Sequence, residues 1–224
     1  MGEEVKKIDL NSWARKSHYD WFSAFADPSL AMDVKMDVTE VLAYCKEKGY
    51  SSFAVVMYII CECINDNDAF RLRVLDGEIW QIDKANVAYT IMVNESRFVN
   101  CRAKMGKGFA SYLADVKANQ EKYAGSNYIQ EEFNDLTIID DIYCSCVPWL
   151  NFLSIHQPIP DHIPESKCIP RACWGKYYEE GGRKYMTLNI TADHSLIDGL
   201  DMSNVFIAIQ KGFNAPKAFL EKGE

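Results

Sequence analysis

Near the end of the chain, Thr191-Ala192-Asp193-His194-Ser195-Leu196-Ile197-Asp198-Gly199 sets a histidine four residues ahead of an aspartate and a glycine. Histidine changes charge near neutral pH, so an imidazole partly shielded from water can serve as a general base. For the motif alone, a packed core histidine followed by an ordinary helix cap is the commoner outcome. Base catalysis also needs an orienting group, an oxyanion donor and a substrate groove elsewhere in the chain. Ser145 is the one aliphatic hydroxyl within the run Ile142-Tyr143-Cys144-Ser145-Cys146-Val147. Taken singly, it too is most often a satisfied core serine. The eight cysteines lie mostly inside apolar runs of a long chain, which favours reduced core thiols over a disulfide scaffold. Cys61-Glu62-Cys63 and Cys144-Ser145-Cys146 lack C-x-x-C spacing and none of the four histidines sits at ligand spacing beside them, so no structural metal is expected.

The elements that must position these residues follow from periodicity. Alternation over 185–192, with Met186, Leu188, Ile190 and Ala192 on one face and Thr187, Asn189 and Thr191 on the other, predicts a half-buried strand running into His194. Leu200, Met202, Val205, Phe206 and Ile209 then mark an amphipathic helix that Asp198 or Asp201 can cap. Upstream, Ser12 is placed to cap a helix with Trp13 just inside, and Trp21 and Phe22 either pack a core or wall a pocket. A short strand is expected over 30–38, then a helix that Gly49 ends and, after Ser51-Ser52, one over 53–64 that is apolar nearly all round. Asp76-Gly77 signals a tight hairpin; strands flank Asn94-Glu95; Phe109, Tyr112, Leu113, Val116 and Tyr123 mark a helix closed by Gly125. Strands follow over 136–139, 142–149 and 173–178, the last turning back at Gly181-Gly182. The proline-rich 156–170 should be irregular surface. Together these predict an α+β fold, a two-layer sandwich of a mixed, largely antiparallel β-sheet with helices packed on one side, in one domain over 1–224.

Composition narrows the function classes. With 24 Lys and Arg against 32 Asp and Glu, the net charge of −8 opposes nucleic-acid binding. There is no apolar run of membrane-span length and the N-terminus lacks a signal-peptide core, so a cytoplasmic protein without membrane contact is expected.

Several separated motifs resemble the chloramphenicol acetyltransferases, trimeric enzymes that move acetyl from acetyl-CoA to an alcohol. Trp13-Ala14-Arg15-Lys16-Ser17-His18 is similar to the family's W-x-R-x-x-H start, and Phe70-Arg71 with Asp76-Gly77-Glu78 to its F-R…D-G-E hairpin. Ser145-Cys146-Val147-Pro148-Trp149 fits S-x-x-P-W, and His194 to Gly199 fits H-x-x-x-D-G. The resemblance spans residues 8–213. It implies His194 as general base, Ser145 as oxyanion donor, and Asp198 paired with Arg15 to hold the loop. It also implies Lys176 and Tyr177 beside CoA, Trp21 and Phe22 bordering the acceptor pocket, no metal, and a homotrimer with active sites between subunits. If the Arg15 pair is buried, removing Asp198 would cost about 3–5 kcal/mol.

The departures concern the acceptor. Asp193 replaces the first His of the family's H-H pair, giving D-H-x-x-x-D-G as in dihydrolipoyl acyltransferase catalytic domains. Arg171 stands where an apolar pocket residue is usual, Cys173 replaces a threonine that assists the oxyanion through water, and 156–170 is slightly lengthened. The expected function is acetyl transfer to a hydroxyl of chloramphenicol without an acyl-enzyme; the alternatives are the same chemistry on another hydroxyl acceptor, or a silent CoA- or drug-binding relative.

Overall fold

The computed structural model describes residues 5–124, 139–160 and 163–221. Its elements in chain order are β1 (Lys6–Lys7), α1 (Lys16–Phe22), β2 (Ser29–Asp37), α2 (Thr39–Lys48), α3 (Ser52–Asn65), β3 (Leu72–Leu75), β4 (Glu78–Gln81), β5 (Asn86–Asn94), β6 (Arg97–Ala103), α4 (Gly108–Tyr123), β7 (Asp141–Val147), β8 (Arg171–Gly175), β9 (Tyr178–Glu180), β10 (Arg183–Asp193), α5 (Gly199–Asn214) and α6 (Pro216–Leu220). The main sheet runs β2-β10-β8-β7-β5-β6, with β9 pairing β10, and β1-β4-β3 form a small second sheet. Only β5 with β7 and β7 with β8 are parallel, so the fold is α+β with a mixed, mostly antiparallel sheet.

Local chemistry sets the elements. Ser51 caps α3 by accepting from the Ala54 amide, and the helix buries eleven residues, as its unbroken apolar surface demands. Gly49 ends α2 at φ 68°, and Asp76-Gly77 and Gly181-Gly182 turn their hairpins with both central residues at positive φ. The expected start of the first helix shifts. Ser12 donates its hydroxyl back to Asp9 instead of capping, and α1 begins only at Lys16. The anticipated stop at Gly125 and the strand start at residues 136–138 lie outside the described residues. The expected strand over 173–178 is two strands, with Lys176 and Tyr177 between them.

The sheet's apolar face, including Met186, Leu188 and Ile190, packs into the helical layer. Its other face is where the sequence expectation fails. From Met186 to Asp193 every residue of β10 is buried, the polar ones included. The proline-rich segment, with Ile155 just before it, is responsible: it is irregular and exposes His156 and Pro158 as expected, but its inner side lies across the strand. Asn189 donates to the Ile155 carbonyl at 3.2 Å and accepts from the Gln157 amide at 3.0 Å; Arg171 donates to Ile169 and Ser166. Backbone polar groups of that segment thereby satisfy buried side chains, which would otherwise be costly.

Gly175 is closely approached by residues 150 and 152, just ahead of this cover. A Cβ there would meet the Leu150 carbonyl oxygen at 2.9 Å and the Phe152 ring at 3.2 Å. Gly175→Ala is expected to destabilise by about 1–3 kcal/mol, the usual range for an overpacked site. A melting temperature equal to wild type would show that residues 150 and 152 are not seated there.

Candidate active site

His194 sits where β10 leaves the sheet. Its amide donates to the Pro28 carbonyl at 2.7 Å, and the turn closes through Leu196 and Ile197 amides on the Asp193 carbonyl. Asp193 fixes the turn from inside, accepting from the Ser195 amide at 2.8 Å and its hydroxyl at 2.6 Å. Burial pushes the Asp193 carboxyl above its ordinary value, with the Ser195 donors acting against it. The imidazole is then oriented by backbone alone. Nδ1 lies 2.9 Å from the Ile197 carbonyl, which can only accept, so the proton of the neutral ring is on Nδ1 and Nε2 keeps its lone pair. Phe22 stacks on the ring at 3.8 Å between centroids, and His18, edge-on at 5.4 Å, donates from Nε2 to the His194 carbonyl.

The loop behind the histidine is tied to α1. Arg15 donates to Asp198 Oδ2 at 3.0 Å and to Asp201 Oδ2 at 2.6 Å. Both aspartates also serve α5. Asp198 accepts from the Leu200 and Asp201 amides while Asp201 accepts from the Asp198 amide, a reciprocal capping box. The sequence offered either residue as the cap; the structure uses the two together. Partial burial, which raises the Asp198 carboxyl, is outweighed by those amides and by Arg15, so its pKa falls below the ordinary value. The ion pair is not buried: the side chains of Arg15 and Asp198 are 27% and 41% exposed. The large penalty expected for a buried pair therefore does not apply.

Ser145 belongs to a different place. It lies in β7 opposite Cys173 of β8, which in turn opposes Asn189 of β10. Five residues and two strand spacings separate that register from His194, roughly 15–20 Å at standard strand dimensions. One chain does not bring the two side chains together. Ser145 Oγ is 3.3 Å from Thr90 Oγ1 and opens on two cavities. One, of about 770 Å³, is walled by Phe53, Trp149, Trp174 and Tyr177. The other, of about 280 Å³, is lined by Thr90, Tyr143, Gln157, Ser166 and Arg171. Burial raises the Tyr177 phenol, and Lys176 stands exposed beside it. Cys173 is buried under the covering segment, its thiol pushed up by burial to about 12. Trp21 is 67% exposed, pointing away from the core that its helix packs on.

Among the described residues no group of three or more His, Cys, Asp or Glu is placed to hold a metal ion, and no helix is long and apolar enough to cross a membrane. None of the eight cysteines is joined in a disulfide.

A family model for chloramphenicol acetyltransferase matches residues 4–210. The chain belongs to the chloramphenicol acetyltransferase family. A chloramphenicol acetyltransferase of Clostridium perfringens is 28% identical over 215 residues, covering 94% of this chain and 99% of its own. One from Proteus mirabilis is 27% identical over 206 residues, covering 91% and 92%. A solved chloramphenicol acetyltransferase shares the fold at TM-score 0.85 with 21% identity, over 97% of this chain and 100% of that one. A probable dihydrolipoamide acetyltransferase from Listeria monocytogenes 4b F2365 follows it at TM-score 0.64 with 14% identity, over 100% and 98%. The family resemblance in the motifs is thus confirmed, and the family is one of acyltransferase enzymes.

Residues that the motifs did not single out also shape this acyltransferase site. Ile197 lends only its carbonyl, which no side-chain pattern reveals. Thr90 and Gln157 reach Ser145 and the sheet through strand register and segment placement, neither readable from local periodicity. Asp201, considered only as a cap, is Arg15's second partner.

Asp198 carries a cap and an ion pair that substitution can separate. Asp198→Ala should lower stability by about 1–2 kcal/mol in urea denaturation, the usual scale for a lost cap. Asp198→Asn keeps a good capping oxygen and should lose less than about 1 kcal/mol, the scale of an exposed pair. Equal losses in the two would place the stability in the Arg15 pair instead. Because the folded-state pKa is lowered, this contribution is present above the ordinary aspartate value and fades as pH falls below it.

Proposed function

We propose that this acyltransferase moves acetyl from acetyl-CoA to a hydroxyl of an alcohol acceptor, chloramphenicol being the acceptor that its relatives' names supply. The observation that carries the reading is the histidine tautomer: Ile197 holds the Nδ1 proton, and Nε2 is free to act as base. His194 takes the proton of the acceptor hydroxyl as its oxygen bonds to the thioester carbonyl carbon. Ser145 donates to the charge that gathers on the carbonyl oxygen, while Thr90 can hold the serine hydroxyl in that direction. As the carbon–sulfur bond breaks, His194 returns the proton to the departing thiolate. No side chain becomes acylated, so no cysteine is required.

The residues present fit a CoA thioester. The larger cavity is long enough and aromatic enough for a pantetheine arm, ends at Ser145, and has Tyr177 in its wall with Lys176 alongside. Eight cysteines without a disulfide and a thioester substrate both suit the reducing cytoplasm. His194 and Ser145 lie too far apart in one chain to share a reacting atom, which supports a homotrimer in which His194 of one copy faces Ser145 of the next. Trp149, Leu150, Leu153 and Phe98, each more than half exposed near the Ser145 end of the sheet, are apolar surface for such contact. A second reading, the same transfer to a different alcohol, is favoured by one observation, the buried Arg171 in the smaller cavity.

Thiol release from acetyl-CoA, with an acceptor-free blank to correct for protein thiols, tests the reaction. Acceptor-dependent release is expected in wild type and should vanish in His194→Ala. Ser145→Ala should keep its melting temperature and lose about 10²–10³ in kcat, the usual loss for one oxyanion donor. Undiminished turnover in His194→Ala would remove the base from this scheme.

A further inference from the structure

The smaller cavity differs in chemistry from the aromatic one beside it, and the difference centres on Arg171. Its side chain is 4% exposed, yet every hydrogen bond it makes among the described residues is to a neutral oxygen: the Ile169 carbonyl at 2.8 Å, the Ser166 carbonyl at 2.9 Å and the Ser166 hydroxyl at 2.7 Å. Tyr143 covers one face of the guanidinium at 5.4 Å. A guanidinium has five N–H donors, and those three bonds leave two without a protein acceptor among the described residues. Asp141, the carboxylate in the same cavity wall, is already engaged by Arg102 at 2.7 Å, and Asp193 is turned onto Ser195. Burial lowers the Arg171 pKa, with Tyr143 and Cys168 acting against it. Among the described residues no carboxylate pairs with this buried cation, a costly arrangement, and it lines a cavity that also contains Ser145.

We propose that Arg171 recognises a carboxylate on the acceptor, so that the alcohol this pocket selects is a small hydroxy acid. The inference rests on the acyl-transfer reading above and narrows its acceptor. A planar fork with donors to spare matches a carboxylate. The cavity, about 280 Å³, lies at the small end of ligand pockets and suits an acceptor of about one ring. Thr90, Asn100 and Gln157 add polar groups to its lining, as a polar acceptor requires. Chloramphenicol, which is neutral, would leave the guanidinium unmatched.

The test compares 4-(hydroxymethyl)benzoate with its carboxamide, a neutral match in size, in the thiol-release assay on the full chain. Wild type should favour the carboxylate in kcat/KM by about tenfold or more, since a site built to bond a group rejects the analogue lacking it. Arg171→Met should bring the carboxylate-to-carboxamide ratio of kcat/KM to about one, and Arg171→Lys should retain part of the preference. Because Arg171 also holds Ser166 and Ile169, melting temperatures accompany each variant. Should Arg171→Met not fold, wild type and Arg171→Lys decide. A wild type that uses the carboxamide as well as or better than the carboxylate would overturn the proposal. If neither is turned over, calorimetric binding of the same pair decides: carboxylate binding lost in Arg171→Met upholds the pocket, and equal or absent binding overturns it. Turnover of chloramphenicol in parallel reports separately on acyl transfer itself.

Discussion

The structure depends on a strand that is buried on both faces. β10 pairs with β2 on one side and with β8 and β9 on the other, so its apolar residues meet the helices whatever the opposite face does. That opposite face carries Thr187, Asn189, Thr191 and Asp193, side chains that cannot be left dry and unpaired. The chain resolves the conflict by laying a proline-rich segment across it. Prolines suit this task, because such a segment forms no ladder of its own and leaves its carbonyls available to side chains beneath. Asn189 and Arg171 use those carbonyls. The cover in turn creates the small cavity, since a segment held by discrete polar contacts does not fill space as a packed helix would.

At the end of the same strand the polar pattern changes role. Asp193 turns inward to fix the bend, His194 turns outward with its ring set by a carbonyl, and Asp198 starts a helix while accepting from Arg15. Backbone geometry does most of the positioning. A histidine held by a carbonyl has only one neutral tautomer available, whereas a carboxylate partner would also stabilise the protonated ring and weaken its distinction between base and acid forms. The aspartate four residues on therefore belongs to the loop and the helix, with Arg15 securing both to α1.

Much of this was legible in the sequence because it is local. The period change at Gly199, the apolar helix after Ser51, the Asp76-Gly77 turn and the four motifs all depend on neighbours within a few positions. Their order along the chain sufficed for the family, whose model matches the same span. What was not legible depends on distance in sequence. Alternation predicted β10 half exposed because nothing local announces that residues 155–157 will cover it. Ser12 was a sound helix cap by type, but Asp9 three residues earlier competes for its hydroxyl and wins. Arg15 stood out as an arginine needing a partner; that it would serve two aspartates and remain partly wet is a matter of tertiary placement.

The division of the chemistry between two regions of one sheet has a further consequence. In the proposed scheme the base, His194, is set by a turn at the end of β10, whereas Ser145 and the cavity beside it are set by β7, β5 and the covering segment. The two regions meet where the Arg171 backbone pairs with Thr191 and where Lys167 donates to the Ala26 carbonyl, close to the Pro28 that holds the His194 amide. The Arg171 side chain, by contrast, makes its hydrogen bonds and ring contact among the described residues with residues 143, 166 and 169, away from the histidine ring. The side chain at position 171 can therefore change what faces Ser145 while the Ile197 carbonyl and the Phe22 ring continue to hold the His194 imidazole.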